Sequence, residues 1–358
     1  MRNRTITRLA GGFAVVAVAA TALVGCSSSA SSDEVGVSLI VKTTSNPYFV
    51  SMEDSAKAAA AKDGVKLTLA AGTKDGDTDT QITAIENAIS RGDKGILITP
   101  NGDAVNNEIE KARKAGLYVI ALDTPPNPAD TVDITFATDN FAAGLAIGKW
   151  TAAQLDGKKA TIALLDLFSD QVVSVVYNRD QCFLTGLGID TVNKQVNGDE
   201  APTSSYTGGR GGQCEIVGNQ PTQGAEDGGR TAMETLLSKN PDINVVYAIN
   251  EPAAYGAYQA LKAAGKDKGV LLVAIDGGCS GVGYVKQGII GATSQQYPGD
   301  MATKGMEAIV NLAKTGTKPT TSDGLDFFNT GSKLVTDKPV TGLESISSTE
   351  AATTCWGK

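Results

Sequence analysis

The chain has 358 residues, with 31 basic and 39 acidic side chains and no histidine. The missing histidine excludes Ser-His-Asp and Cys-His nucleophilic centres and the usual zinc sites. The acidic balance excludes the basic footprint that nucleic-acid binding needs, and the length favours two domains over one core.

In chain order, Arg2, Arg4 and Arg8 precede the apolar run FAVVAVAATALV (13–24), which is too short to span a bilayer. Leu23-Val24-Gly25-Cys26, trailed by SSSASSD, resembles a bacterial lipobox. That resemblance implies acylation of Cys26; a plain signal peptide is the alternative. We therefore expect a signal peptide over 1–25 and a flexible tether over 26–34. The mature protein is then exported and lipid-anchored to the outer face of the cell membrane, or periplasmic. Removing the leader leaves 28 basic against 39 acidic residues, a charge of −11. No other apolar run is long enough to cross a membrane.

From Val35, short apolar runs alternate with amphipathic segments. VGVSLIV (35–41), VKLTLA (65–70), GILITP (95–100) and LYVIALD (117–123) read as strands. Helical patterns near 48–62, 79–91 and 103–115 close at Gly64, Gly92 and Gly116. After FATDNFAAG the pattern restarts with ATIALLDL (160–167), EIVGNQ (215–220), NVVYAIN (244–250), VLLVAID (270–276) and IGATSQ (290–295). Apolar strands without polar alternation, separated by helices, predict parallel sheets covered on both faces. The halves also resemble each other: in both, one strand ends on Asn (Asn101, Asn250) and the next on Asp (Asp123, Asp276). The fold class expected is α/β, with two similar doubly wound parallel-sheet domains and a ligand cleft between them.

Segment 191–214 breaks the rhythm and reads as a Gly/Ser/Asn-rich surface excursion, and 337–358 as a weakly periodic tail. Four cysteines follow Cys26, which allows three pairings in an oxidising compartment. Cys182–Cys214 would tie the ends of the excursion, and Cys279–Cys355 would staple the tail, so these two pairings are expected.

In doubly wound sheets, ligands bind beyond the carboxyl ends of the strands. Those ends carry Asn46-Pro47-Tyr48-Phe49, Asn101, Asp123, Asn250-Glu251, Asp276 and Gln295-Gln296, with Arg179 near a helix start. No phosphate loop and no activated nucleophile is among them. Carboxylates, amides and a guanidinium suit adjacent hydroxyls, and aromatic rings suit the apolar faces of sugars.

The motifs SNPYFVSM, VIALDTP, FATDN, NRDQCF, YAINEPAAYGA, VAIDGG and GATSQQYP resemble the type I periplasmic binding proteins, the ribose-binding kind that serves ABC importers. The likeness covers about 35–335. It implies a monosaccharide ligand, an ABC permease partner, a monomer, no cofactor and no chemistry. It also implies ligand contacts from Asn46, Tyr48, Phe49, Asp123, Thr124, Arg179, Asn250, Asp276 and Gln296, with Asn101, Asp139, Gln223 and Glu251 as secondary candidates. The lobes expected are 35–138 with 297–325, and 139–296 with 326–336, hinged near 138–140, 296–298 and 325–327.

Two departures argue against ribose itself. Asp123-Thr124 stands where ribose binders have Asp-Arg, and QPTQGAED offers only Gln223 or Gly224 where they place an aromatic. NRDQCF, NEPAAYGA, DGGC, SQQYP, LDFFNTG and the closing CWG resemble the fructose-binding branch, which makes fructose the expected sugar; other pentoses, hexoses and polyols are the alternatives.

Plainer readings exist for several of these residues. Asp123 and Asp276 suit helix caps, Tyr48 and Phe49 suit helix-packing staples, Arg179 a surface ion pair, and Glu251 a helix-start charge. Asp75, Asp77, Asp79 and Glu86 fit four positions of a calcium-loop template, but Thr80 replaces its glycine and the segment reads as a helix. No metal is expected there. The rival functions are a sugar-processing enzyme using Asp123 and Asp276, a repressor core, and a sugar sensor for a membrane receptor.

Overall fold

A computed structural model describes residues 35–169 and 173–357. The expected leader, Cys26 and the whole of the tether lie outside them. Six strands form the first sheet: β1 (Gly36–Val41), β2 (Lys66–Ala71), β3 (Gly95–Ile98), β4 (Tyr118–Leu122), β5 (Ile134–Ala137) and the two-residue β12 (Phe328–Asn329). Their order is β12-β5-β4-β3-β1-β2, every pair parallel. Helices α1 (Pro47–Asp63), α2 (Thr78–Arg91), α3 (Asn106–Lys114) and α9 (Pro298–Thr315) cover it. Each residue of β3 and β4 is buried, as strands sandwiched between helices must be.

The second sheet runs β13-β11-β10-β9-β6-β8-β7. Its members are β6 (Ala160–Asp166), β7 (Thr203–Tyr206), β8 (Gly212–Pro221), β9 (Val245–Ala248), β10 (Leu271–Asp276), β11 (Ala292–Gln295) and β13 (Lys333–Val335). Only the edge strands β7 and β13 run antiparallel to their neighbours. Helices α4 (Asn140–Leu155), α5 (Ser174–Leu187), α6 (Glu226–Lys239), α7 (Glu251–Ala263) and α8 (Cys279–Lys286) complete this lobe, with a short α10 (Ser348–Ala351) against α8.

Local chemistry sets the helix limits. Asn46 caps α1 by accepting from the Tyr48 amide, Pro47 opens it, and Gly64 closes it in the left-handed conformation. Asp77 caps α2, accepting from Thr73 and Thr80, and these bonds hold its carboxyl well below the usual range. The acidic stretch 75–86 is thus a helix start. Close packing of α4 on α5 depends on glycine: a Cβ on Gly148 would stand 2.1 Å from the Phe183 carbonyl oxygen. This contact seats α5, which carries Arg179.

The chain passes between the sheets after β5, after β11, and between β12 and β13. The last passage differs from the expectation. Phe328 and Asn329 pair with Phe136 and Ala137 of β5, so the chain returns to the second lobe only after Asn329, not at 325–327. Phe328 also packs its ring on Phe136, 4.8 Å between centroids.

Two further expectations change. The excursion 191–214 ends in a hairpin, β7 pairing with β8 from Thr203↔Glu215 to Tyr206↔Gly212. Cys182 and Cys214 are not joined; both are buried thiols. Cys182 faces α4 beside Gly144, whereas Cys214 sits in β8 opposite Ala160 and Ser204. The backbone ladder, rather than a covalent tie, therefore closes the excursion, and burial pushes the thiols up to about 12 and about 11. Cys279 and Cys355 do form a disulfide, which fastens the tail to the start of α8.

Candidate functional site

The carboxyl ends of both sheets face a common cleft. From the first lobe, Asp123 follows β4 and is 4% exposed. Its Oδ1 accepts from the Tyr48 hydroxyl at 2.9 Å and its Oδ2 from Thr124 Oγ1 at 2.9 Å. From the second lobe, Asp276 ends β10 and accepts from Gln296 Nε2 at 3.0 Å.

Arg179 lies between them. Its Nη2 is 3.7 Å from Asp123 Oδ1, and its Nη1 is 3.9 Å from Asp276 Oδ1. Nε donates to Asn140 Oδ1 at 2.7 Å, Nη1 to the Ile249 carbonyl at 3.1 Å, and Nη2 to Gln296 Oε1 at 3.3 Å. One buried guanidinium thus links carboxylates contributed by the two lobes, the arrangement in which burying charge is tolerable.

The backbone marks the same places. Asp123 (φ 64°), Asp276 (φ 139°) and Gln223 (φ 53°) all adopt positive φ without being glycine. Such backbone costs about 1–3 kcal/mol per residue and clusters where side chains are aimed for function. Gly277 (φ 69°) follows Asp276, and a Cβ there would fall 2.2 Å from Gln295 Cα, so only glycine fits the turn.

Burial sets the electrostatics. It raises the Asp276 carboxyl, with Arg179 opposing and Asp123 adding to the rise. Glu251 is raised by burial and by Asp276, against bonds from Thr293 Oγ1 and the Gly277 and Gly278 amides. The Tyr48 hydroxyl is raised well above its usual value by burial and by Asp123, which keeps it a donor.

Tyr48, Phe49, Asp123, Arg179, Asn250 and Asp276 line one chamber of about 40 Å³. Asn46, Asp75 and Asp276 also border a neighbouring outer cavity of about 440 Å³. Gln223 and Glu251 face this outer cavity, with Tyr255, Tyr284 and Trp356. The Trp356 ring stands edge-on to Tyr48, centroids 5.2 Å apart, and its Nε1 donates to the Gln296 carbonyl at 2.9 Å.

Other candidates serve the frame. Asn101 spends its amide on Lys42 O, Asp77 O and the Gly76 amide. Asp139 caps α4 through the Ala142 amide. Asn250 borders the chamber but caps α7 and donates to Gly224 O. Glu251 braces the turn after Asp276.

Sequence reasoning missed Lys42 and Asp75, which face the chamber, and Asn140, which orients Arg179. Lys42 follows a strand directly, a signal that was open to reading; Asp75 was hidden inside an acidic helix start. Trp356 stands in the closing CWG motif, and nothing local says that the tail returns to the cleft.

Comparison with known proteins gives the same picture. Residues 37–318 match the periplasmic binding protein domain. The ribose import binding protein of Salmonella typhimurium is 29% identical over 279 residues, covering 78% of this chain and 84% of the relative. That of Haemophilus influenzae is 30% identical over 273 residues, covering 76% and 83%. An ABC transporter solute-binding protein from Agrobacterium vitis, solved with bound D-fucose, superposes with a TM-score of 0.72 at 23% identity, covering 90% of this chain and all of the other. With its two parallel-sheet lobes and a domain match across most of its length, the chain belongs to the periplasmic binding protein family.

Proposed function

We propose that this chain is the extracytoplasmic receptor of an ABC importer, capturing a monosaccharide in the cleft and presenting it to a membrane permease. The observation that carries this reading is Arg179 held between Asp123 of one lobe and Asp276 of the other. Polar groups converging from both lobes allow a polyhydroxylated ligand to stabilise the closed form by touching each. Relatives named for ribose import support the sugar class.

Asn46, Tyr48, Phe49, Asp123, Thr124, Arg179, Asn250, Asp276 and Gln296 form the binding set. Trp356 supplies the flat apolar face absent from Gln223-Gly224. Fructose is the preferred sugar, on the motifs that set this chain apart from ribose binders. Closure bends the segments joining the sheets, near 138–140, 296–298 and 330–332. Cys26 carries the lipid anchor, and the receptor acts as a monomer without catalysing a reaction.

Thermal-shift measurements across monosaccharides test the reading. A ligand that binds only the native state raises the melting temperature by mass action. Fructose is expected to give the largest shift, and Asp276→Ala to diminish it. If no monosaccharide or polyol shifts the transition, the assignment fails; turnover of a bound sugar overturns it in favour of an enzyme.

A further inference from the structure

A second group of buried carboxylates lies in the second lobe, outside the cleft set. Asp166 ends β6 (2% exposed), Asp180 sits on α5 (0%), and Glu200 (8%) stands at the end of the non-helical stretch after α5. Gln181 Nε2 bridges two of them, donating to Asp180 Oδ2 at 3.3 Å and to Glu200 Oε1. Asn219 Nδ2 holds Asp166 Oδ2 at 2.8 Å, and the Gly198 amide holds Glu200 Oε2 at 3.1 Å.

Among the described residues, no lysine or arginine pairs with any of these three carboxylates. Buried charges without a counter-ion are costly, and proteins remove the cost with a partner charge, a metal or a proton.

A separate observation points to a missing partner. Asp166 Oδ1, Asp180 Oδ1, Gln181 Oε1, Asn197 Oδ1 and Asp199 Oδ1 have little or no solvent contact and no hydrogen-bond partner. The Tyr247 hydroxyl, on a fully buried residue within electrostatic reach of Asp166 and Asp180, is also unpartnered. Native interiors leave few such atoms, and each asks for a water or an ion. Asp166, Asn197 and Asn219 moreover line a cavity of about 360 Å³, so there is an entry path.

We propose that this cluster is a structural binding site for a hard divalent cation, with calcium the best match. The donors are all oxygens, four of the side chains carry charge (Asp166, Asp180, Asp199 and Glu200), and Asn197 adds a neutral oxygen from the stretch without helix or strand. Calcium accepts six to eight such ligands in adaptable geometry, whereas magnesium demands a tighter octahedron. The described carboxylates do not already converge on a single point, so binding draws the 197–200 stretch inward. The ion thereby provides the anchor at the base of the excursion that the separate thiols Cys182 and Cys214 do not.

The test uses the full chain, stripped with chelator and titrated with calcium, magnesium or terbium ions. Calcium is expected to raise the melting temperature saturably, by about 5 °C at a hundredfold excess over its dissociation constant. Bound terbium should emit when the tyrosines are excited, since Tyr177 lines the cavity. Asp180→Asn and Glu200→Gln should lose both responses. Asp199→Asn, at a partly exposed position, should weaken calcium binding at least tenfold even if the buried variants do not fold. The proposal is overturned if calcium leaves the stripped protein unchanged, if Asp199→Asn and a folded Glu200→Gln respond like the parent, or if only lowering the pH stabilises the protein, which would mean protons neutralise the cluster.

Discussion

The chain buries two groups of carboxylates and treats them differently. In the cleft, Asp123 and Asp276 share Arg179, and almost every polar atom has a partner inside the protein. In the second lobe, Asp166, Asp180 and Glu200 have amide donors but no cation, and several oxygens lack any partner. Burial is similar in both places, so burial alone does not distinguish them. The counter-charge does: the cleft carboxylates have a guanidinium set between them, while the second cluster has none and calls for a cation.

The sharpest way to break this contrast is Arg179→Met, which makes the cleft resemble the second cluster. Leaving Asp123 and Asp276 uncompensated is expected to cost about 3–5 kcal/mol in urea unfolding and to abolish sugar binding. Next in size is Cys279→Ser. It frees the tail from α8 and removes a cross-link across 76 residues, for about 2–4 kcal/mol of stability in the same measurement. Tyr48→Phe deletes the donor to Asp123 Oδ1 and is expected to cost about 1–3 kcal/mol.

Trp356→Ala is expected to weaken sugar affinity about tenfold by calorimetry, while the unfolding midpoint falls less than in Cys279→Ser. A further test concerns pH. The Asp276 carboxyl is raised in the folded state, so its stabilising contribution is fully present below its unfolded pKa of about 3.9. That contribution is lost as pH rises through the folded value. Asp276→Asn should flatten this part of the melting-temperature profile; an unchanged slope would assign it to Glu251, which shifts in the same direction.

The parallel strands could be read from the sequence because both faces are covered, which makes apolar runs such as GILI and YVIAL nearly unbroken. Cleft residues were legible where a strand end delivers them directly, as with Asp123, Asp276 and Asn250. Edge elements were not. Thr203–Tyr206 and Phe328–Asn329 are too short and too polar to show a period, and only pairing with a distant strand makes them strands. The Cys182–Cys214 expectation failed for a related reason: sequence spacing measures the loop between two residues, not that one lies on a helix face against α4 and the other in a strand. Trp356 was beyond local reading, since its position depends on a contact with Tyr48 three hundred residues earlier.

The disulfide beside Trp356 gives the cleft a dependence on its surroundings. One wall of the outer cavity is a tail segment with little regular structure of its own, held by the Cys355–Cys279 disulfide, by the Cys279 amide donating to the Trp356 carbonyl, by Thr354 Oγ1 donating to Gln295 Oε1 and by the indole hydrogen bond. Where thiols are kept reduced that wall keeps only its hydrogen bonds and ring packing, and where disulfides persist it is also tied covalently. Oxidation therefore adds a covalent tie to one wall of the outer cavity, a constraint that the hydrogen bonds alone do not supply.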